Sequence, residues 1–276
     1  WLSASVWEKG KPVKSVEVSV TEVELARDAE AVHRKIKNSI FFKRDGKELY
    51  DKLLKPLALT ANHLVIIPDK HLWKIPFQAL SPDGNRYLIE EKLVSYSPSV
   101  SLLLEHLSQP KPNRRTIRAF SNSSFNDLKL RFADSEAFSV AGLYRSSPNL
   151  AATAADLRRH SGNADIIHLS MHAQVDGEQP LESFLAFRAA GSHDGRVTVN
   201  DLLGLSFKKG SLVFLASCDT NNVLNGEGLV SLAWGAMGAG ATTVISAQWE
   251  ANDKFTGTFT KSFYGYYRQG FPAGVA

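Results

Sequence analysis

The chain has 276 residues, of which 43% are hydrophobic and 22% charged, and its formal net charge is +4. This composition is ordinary for a folded globular protein and argues against a disordered chain. The basic residues occur in small scattered clusters such as Lys43-Arg44 and Lys208-Lys209, not along one stripe, so we do not expect direct binding to nucleic acid.

The single cysteine, Cys218, excludes an internal disulfide framework and favours a reducing compartment, which predicts a cytoplasmic location. No apolar run approaches ~20 residues, so we expect no membrane span. The first residues do not have the pattern of a signal peptide, so we expect none in this sequence. The first residue is Trp1, so we expect the sequence to be a piece of a longer protein.

Taken in chain order, the first elements predict a strand–helix N-terminal portion. Alternating valines at 16–20 predict a half-buried strand, one arm of a hairpin that turns at 10–12. Helical periodicity over 22–37 predicts a helix, and a second helix is expected over 48–56.

From residue 63 onward, strand patterns alternate with helix patterns, which predicts an α/β fold with a mostly parallel sheet flanked by helices. Short apolar runs predict strands at 64–67, 117–120, 165–169, 211–215 and 242–246. Helices are expected at 100–107, 135–143, 152–160, 228–240 and 253–268. The polar stretch 108–115 either divides the chain into subdomains 1–110 and 111–276 or is a loop inside one domain.

Two of these strands end in residues that could carry chemistry. The strand at 165–169 leads to His172, and the strand at 211–215 leads to Cys218. The carboxyl ends of neighbouring parallel strands meet at one edge of a sheet, which would bring the two residues together. The alternative is that Cys218 is a small inert core residue and His172 a hydrogen-bonded structural one.

The pairing matters because a free thiol with a pKa of ~8.5 is only a few per cent thiolate at neutral pH. An adjacent imidazole can take the thiol proton and later give it to the leaving amine. The backbone N–H groups of Cys218 and Ala173 are the candidate donors to the developing oxyanion.

A third strand end, after 242–246, carries Glu250 and Asp253. With Asp219, these carboxylates are candidates for a pocket that binds a basic side chain of the substrate. Asp253 could equally cap the helix at 253–268, and both roles are compatible.

Several segments together resemble the CHAT domains, caspase-like peptidases of the clan that also contains separase. They are residues 64–80 ending in Pro76-Phe77-Gln78-Ala79-Leu80, an early strand pair in the family, then Tyr96-Ser97-Pro98-Ser99, His168-Leu169-Ser170-Met171-His172, Ala216-Ser217-Cys218-Asp219-Thr220, Gly226-Glu227-Gly228 and 249–253. His172 and Cys218 are 46 positions apart, which leaves room for a crossover helix and loop.

The resemblance implies one CHAT-like peptidase domain over 1–276, with Cys218 as nucleophile and His172 as base. It implies hydrolysis of a protein substrate through a thioacyl intermediate, without metal or cofactor. By similarity to separase, the region of Asp253 would favour a basic residue before the cut. The family also implies control by helical repeats or a partner protein, and a role in bacterial defence or regulated proteolysis.

The sequence departs from the family pattern at three places. Ala173 stands where the family usually has glycine, Gln248 replaces a leucine, and the chain stops at Ala276, where the pattern normally runs on. We therefore expect a truncated C-terminus and a less open oxyanion hole. The main alternative is a catalytically inactive caspase-like interaction module, because a fold alone does not prove activity.

Other site types fit the residues less well. The glycines at 235, 238 and 240 precede a strand, whereas a nucleotide-binding loop follows one. His168 and His172 lie four apart and could face the same way, but no further ligand completes a metal site, so we expect His168 to pack or to form a hydrogen bond. Ser217 lacks the glycine-flanked turn of a serine hydrolase.

Overall fold

The computed structural model describes residues 2–8, 10–38, 43–111, 113–126, 128–217, 226–249 and 253–276. They form two compact units, Trp1–Leu103 and Leu104–Ala276. No helix in these ranges is long and apolar enough to cross a bilayer.

The N-terminal unit begins with the predicted hairpin and two helices. Its elements are β1 (Leu2–Val6), β2 (Lys14–Val18), α1 (Glu22–Lys37), α2 (Lys43–Leu53), β3 (His63–Ile66) and β4 (Leu93–Tyr96), and α3 (Val100–Leu107) spans the division between the units. Strands β1 and β2 pair antiparallel. A capping box starts α1, because the N–H of Glu24 donates to Thr21 Oγ1 and the N–H of Thr21 donates to Glu24 Oε2.

Two details of this unit differ from the sequence prediction. Helix α2 begins five residues earlier than expected, because its buried face includes Gly46 and packing there outweighs the low helix propensity of glycine. The segment 64–80 was expected to contain a strand pair, and that expectation is wrong. It contains β3 and short 3-10 turns, and β3 pairs in parallel with the distant β4. Pro68 and Pro76 lack the N–H that a second strand would need.

The C-terminal unit carries the predicted strand–helix alternation. Its elements are β5 (Ile117–Asn122), β6 (Ser124–Phe125), β7 (Leu128–Lys129), α4 (Ala133–Leu143), β8 (Asn149–Leu150), α5 (Ala154–Ser161), β9 (Ile166–Met171), β10 (Ala173–Gln174), β11 (Phe184–Ala186), β12 (Arg196–Thr198), α6 (Val199–Leu203), β13 (Leu212–Leu215), α7 (Gly226–Gly238), β14 (Thr243–Ser246) and α8 (Asp253–Arg268).

Five of these strands form one parallel sheet in the order β14-β13-β9-β5-β8. In chain order β5 comes first, β8 is added on one side of it, and β9, β13 and β14 are added on the other side. The direction in which strands are added therefore reverses between β5 and β9. Such a reversal is the topological switch point at which open α/β sheets bind their ligands. The α/β class with a parallel sheet flanked by helices is confirmed.

Helices cover both faces of the sheet, as alternate residues of β9 show. Ile167 and Leu169 belong to a core that includes residues of α5, α6 and α7. Ile166 belongs to a core on the other face, formed with α4 and α8. All six residues of β9 are buried, as expected for a central parallel strand.

The connection between β9 and β13 is more elaborate than the crossover helix and loop that were expected. It contains the antiparallel sheet β10-β11-β12, a 3-10 turn at Pro180–Glu182 and one short α-helix, α6. The sequence pattern missed this sheet because its strands have only two or three residues each. It lies directly after His172 and therefore shapes the surroundings of that residue.

Gly195 supports the small sheet at a sharp turn, and we expect Gly195→Ala to destabilise the protein. Its φ is +90°, and an added Cβ would lie 2.3 Å from the carbonyl oxygen of Phe187. Gly191 is a matched control in the same loop, with a φ of +59° and no atom within 4 Å of an added Cβ. In both variants the new alanine must adopt a positive φ, which is unfavourable for a residue with a Cβ. Only Gly195→Ala also places the Cβ against the backbone.

In urea-induced unfolding, Gly195→Ala should lower the free energy of unfolding by about 2 kcal/mol more than Gly191→Ala does. Equal losses for the two variants would contradict the close approach of Gly195 to the Phe187 carbonyl.

Candidate active site

The switch point of the sheet lies where β5 ends at Asn122 and β9 ends at Met171. These two residues are register partners, so the carboxyl ends of both strands lie side by side. His172 is the next residue after β9, so the sheet carries it to this edge, as the sequence predicts. Its side chain is enclosed by protein, and the residue is 3% exposed.

The backbone of His172 is held by the small sheet. The N–H of Ala186 in β11 donates to the carbonyl oxygen of His172 at 2.9 Å. The side-chain amide of Asn122 donates to the carbonyl oxygen of Ala186, also at 2.9 Å, and Asn122 is buried. Asn122 therefore ties the end of β5 to the segment that follows His172.

Sequence reasoning missed Asn122. The apolar run of β5 stops at Phe120, whereas the strand continues two residues further into polar positions. A polar residue directly after a buried strand was the available signal, since such positions gather at the carboxyl edge of the sheet.

The amide of Ala173 points away from β11. The C=O and N–H of a trans peptide point in opposite directions, the described residues contain no cis peptide bond, and the carbonyl of His172 accepts from β11. Because β10 is the edge strand of the small sheet among the described residues, the N–H of Ala173 is turned away from the rest of that sheet. The methyl group of Ala173 is buried in the core that contains Leu169 and Leu185.

A polar cluster lies beneath the sheet, one to three residues along β9 from its end at Met171. Ser170 Oγ donates to Glu136 Oε2 of α4 at 2.9 Å. His168 is fully buried, with its Nδ1 3.3 Å from the hydroxyl of Tyr264 and its Nε2 3.6 Å from Glu136 Oε1. The expectation that His168 packs or forms a hydrogen bond is confirmed.

Burial lowers the pKa of His168 to about 3, because the imidazolium would lose its hydration among the rings of Phe214 and Tyr264. The imidazole is therefore neutral at neutral pH. Burial raises the pKa of the Tyr264 hydroxyl well above its ordinary value, so this group also stays neutral. His168 and Tyr264 are therefore both uncharged at neutral pH.

Several predicted site residues lie outside the described part of the chain. Cys218, Asp219 and Glu250 are among them. Asp253 is the first residue of α8, but its side chain is not described. Within the described ranges, no three His, Cys, Asp or Glu side chains gather as a metal-binding group.

The strand that leads to Cys218 is described up to Ser217. Leu215 in β13 is the register partner of Leu169 in β9. The N–H of Ala216 donates to the carbonyl oxygen of Leu169 at 2.8 Å, so β13 remains bound to β9 beyond its last assigned residue. Ser217 is 4% exposed.

The buried neutral His168 predicts a loss of stability in acid. Its pKa is about 3 when folded and ~6.5 when unfolded, so between these values only the unfolded chain binds the proton. The free energy of unfolding should therefore fall as the pH drops below 6.5, by up to about 1.4 kcal/mol per pH unit from this residue. Above pH 6.5 this contribution is constant.

The measurement is urea-induced unfolding at pH 7.5, 6.5 and 5.0 for wild type and His168→Phe, which keeps an aromatic ring but cannot titrate. Between pH 6.5 and 5.0 the wild type should lose about 1.6 kcal/mol more than the variant. Parallel pH profiles for the two proteins would show that the folded state can protonate His168 and would contradict its burial as a neutral group.

Comparison with known proteins agrees with this geometry. The family model of the CHAT domain matches residues 43–276, which is most of the chain. No curated protein matches the sequence significantly. CHAT domains are related to the caspase-like cysteine peptidases, and the parallel sheet flanked by helices is consistent with that fold. Because the CHAT family model matches more than half of the chain, the chain belongs to the CHAT domain family.

Proposed function

We propose that this CHAT domain is a cysteine endopeptidase in which Cys218 is the nucleophile and His172 the base. The register of β9 and β13 carries the proposal, because Leu169 and Leu215 are partners. His172 follows Leu169 by three residues, and Cys218 follows Leu215 by three residues. Each candidate residue therefore lies the same number of positions after a paired leucine. The two strands are adjacent and parallel, so both run toward the same edge of the sheet.

The proposed reaction begins when a ring nitrogen of His172 takes the proton of the Cys218 thiol. The thiolate attacks the peptide carbonyl carbon, and the carbonyl electrons move to oxygen. Collapse of this intermediate breaks the C–N bond, and the leaving amine takes the proton from His172. Water, deprotonated by His172, then hydrolyses the thioester and returns the thiol.

The oxyanion is assigned to the backbone N–H groups of Ala173 and Cys218. The direction of the Ala173 amide, away from β11 and the rest of the small sheet, supports its part. The buried methyl group of Ala173 points into the core, so the replacement of the usual glycine leaves the outward side of this amide unobstructed by a side chain.

The proposed substrate is a protein with a basic residue before the cut. The carboxylates of Asp219, Glu250 and Asp253 would line the pocket for this residue. Its support is that Asp219 follows the β13 segment and Asp253 begins α8 after β14, two neighbouring strands whose carboxyl ends share one edge. The family relationship supports a cytoplasmic setting in bacterial defence or regulated proteolysis, under the control of helical repeats or a partner protein.

One observation favours a second candidate function, a caspase-like interaction module without peptidase activity. His172 is 3% exposed, and a general base must reach the leaving group of its substrate. The two candidates differ in the reactivity of Cys218.

We expect a peptide acyloxymethyl ketone with arginine before the warhead to label wild type once, because the chain has a single cysteine. Intact mass measured against time gives the rate. Cys218→Ala should give no adduct. His172→Ala should be labelled at least about 100-fold more slowly, because a positioned general base typically accelerates a reaction by at least that factor. His71→Ala, which removes a partly exposed histidine of the N-terminal unit, is the matched control and should leave the rate unchanged.

Replacing arginine in the probe by leucine or aspartate should slow the labelling of wild type, and Asp253→Asn should reduce the preference for arginine. A wild-type rate equal to that of free cysteine would overturn the peptidase assignment and favour the interaction module. Fast labelling with no preference for arginine would support the Cys218–His172 dyad and contradict the proposed acidic pocket.

A further inference from the structure

The C-terminal unit has a cavity of about 630 Å³ at the amino-terminal end of β5, the end opposite to Asn122. Four cationic side chains line it: Lys111, Arg114, Arg115 and Arg268. No acidic residue is among the described residues that line it. Since β5 has six residues, the cavity lies about 20 Å along the strand from the carboxyl edge, and it is separate from the candidate active site.

The cations of this cavity are not neutralised by carboxylates. None of the four forms an ion pair within the part of the chain that the structure describes, in contrast to Lys208, which pairs with Asp165. Asp165 lies close to the start of β5 but is already engaged. Its Oδ1 accepts from Lys208, and its Oδ2 accepts from the backbone N–H groups of Arg115 and Thr116.

Two of the guanidinium groups are held in fixed positions. Arg114 stacks on Tyr267, with its Cζ 4.2 Å from the ring centroid, and its Nη1 donates to the Tyr267 carbonyl oxygen at 3.0 Å. The buried Nε of Arg114 has no hydrogen-bond partner among the described residues. Nη1 of Arg268 donates to the carbonyl oxygen of Leu143 at 2.8 Å.

A purely structural role explains only part of this arrangement. Arg114 and Arg268 lie at the C-terminal end of α8, whose dipole attracts cations, but that end carries only about half a unit of negative charge. Four positive charges around one concave surface repel each other, and the repulsion is relieved when a multiply charged anion binds. Positioned guanidinium groups bind phosphate oxygens in pairs.

We propose that this cavity is a binding site for a small molecule with an oligophosphate group, such as pyrophosphate or the phosphate chain of a nucleotide. Its volume is that of a small-molecule site. Three to four negative charges on the ligand would match the four cations. The site is independent of the Cys218–His172 assignment and would exist in an active or an inactive protein.

Isothermal titration calorimetry in EDTA tests the proposal, with pyrophosphate, ATP, inorganic phosphate and a single-stranded DNA oligonucleotide as probes. We expect one pyrophosphate or ATP to bind per chain, with weaker binding at higher salt. The Lys111→Gln/Arg268→Gln double variant should bind at least tenfold more weakly. Arg131→Gln makes the same type of charge change at an exposed residue outside the cavity and should alter affinity less than twofold.

Equal affinity for pyrophosphate and ATP would assign recognition to the phosphate chain, and tighter ATP binding would extend the site to a nucleoside. The proposal is overturned if wild type binds neither probe, if inorganic phosphate binds as tightly as pyrophosphate, or if only the oligonucleotide binds. It is also overturned if Arg115→Gln and the double variant, both folded by circular dichroism, bind like wild type.

Discussion

The pairing of β9 with β5 on one side and β13 on the other is the constraint on which the C-terminal unit depends. Each neighbour is parallel and in fixed register with β9, so backbone groups on both sides of the strand are satisfied. A slip of one residue would turn Ile167 and Leu169 away from one core and bring His168 into it. The same pairing fixes where β9 ends, and therefore where His172 lies.

The central strand carries polar side chains on one face, and the helices over that face must accommodate them. Burying a hydroxyl or an imidazole is unfavourable unless hydrogen bonds compensate. Glu136 of α4 accepts from Ser170, and Tyr264 of α8 contacts His168. Since the imidazole stays neutral, the strand avoids the much larger cost of a buried charge. A strand with polar residues on one face can thus remain in the centre of the sheet and lead to His172 at the carboxyl edge.

The parallel sheet and the position of His172 could be predicted because buried strands leave short apolar runs and polar residues follow their ends. The small sheet β10-β11-β12 could not, since its two- and three-residue strands carry too few side chains to show alternation. The hydrogen bond from Asn122 to the Ala186 carbonyl oxygen was also not predicted, because it joins residues that are 64 positions apart in the sequence. The partner of β3 escaped for the same reason: Leu93–Tyr96 lies nearly thirty residues further along the chain.

The proposed active site requires that the sheet bring Cys218 and His172 together at one edge, with the Ala173 amide beside them. A crystal structure of the protein with a peptide aldehyde tests it most directly, because the aldehyde forms a thiohemiacetal that imitates the first intermediate. We expect a bond from Cys218 Sγ to the aldehyde carbon, a His172 ring nitrogen about 3 Å from the sulphur, and the Ala173 N–H about 3 Å from the new oxygen. An adduct on Cys218 with the His172 ring still enclosed, beyond hydrogen-bond reach of the sulphur, would contradict it.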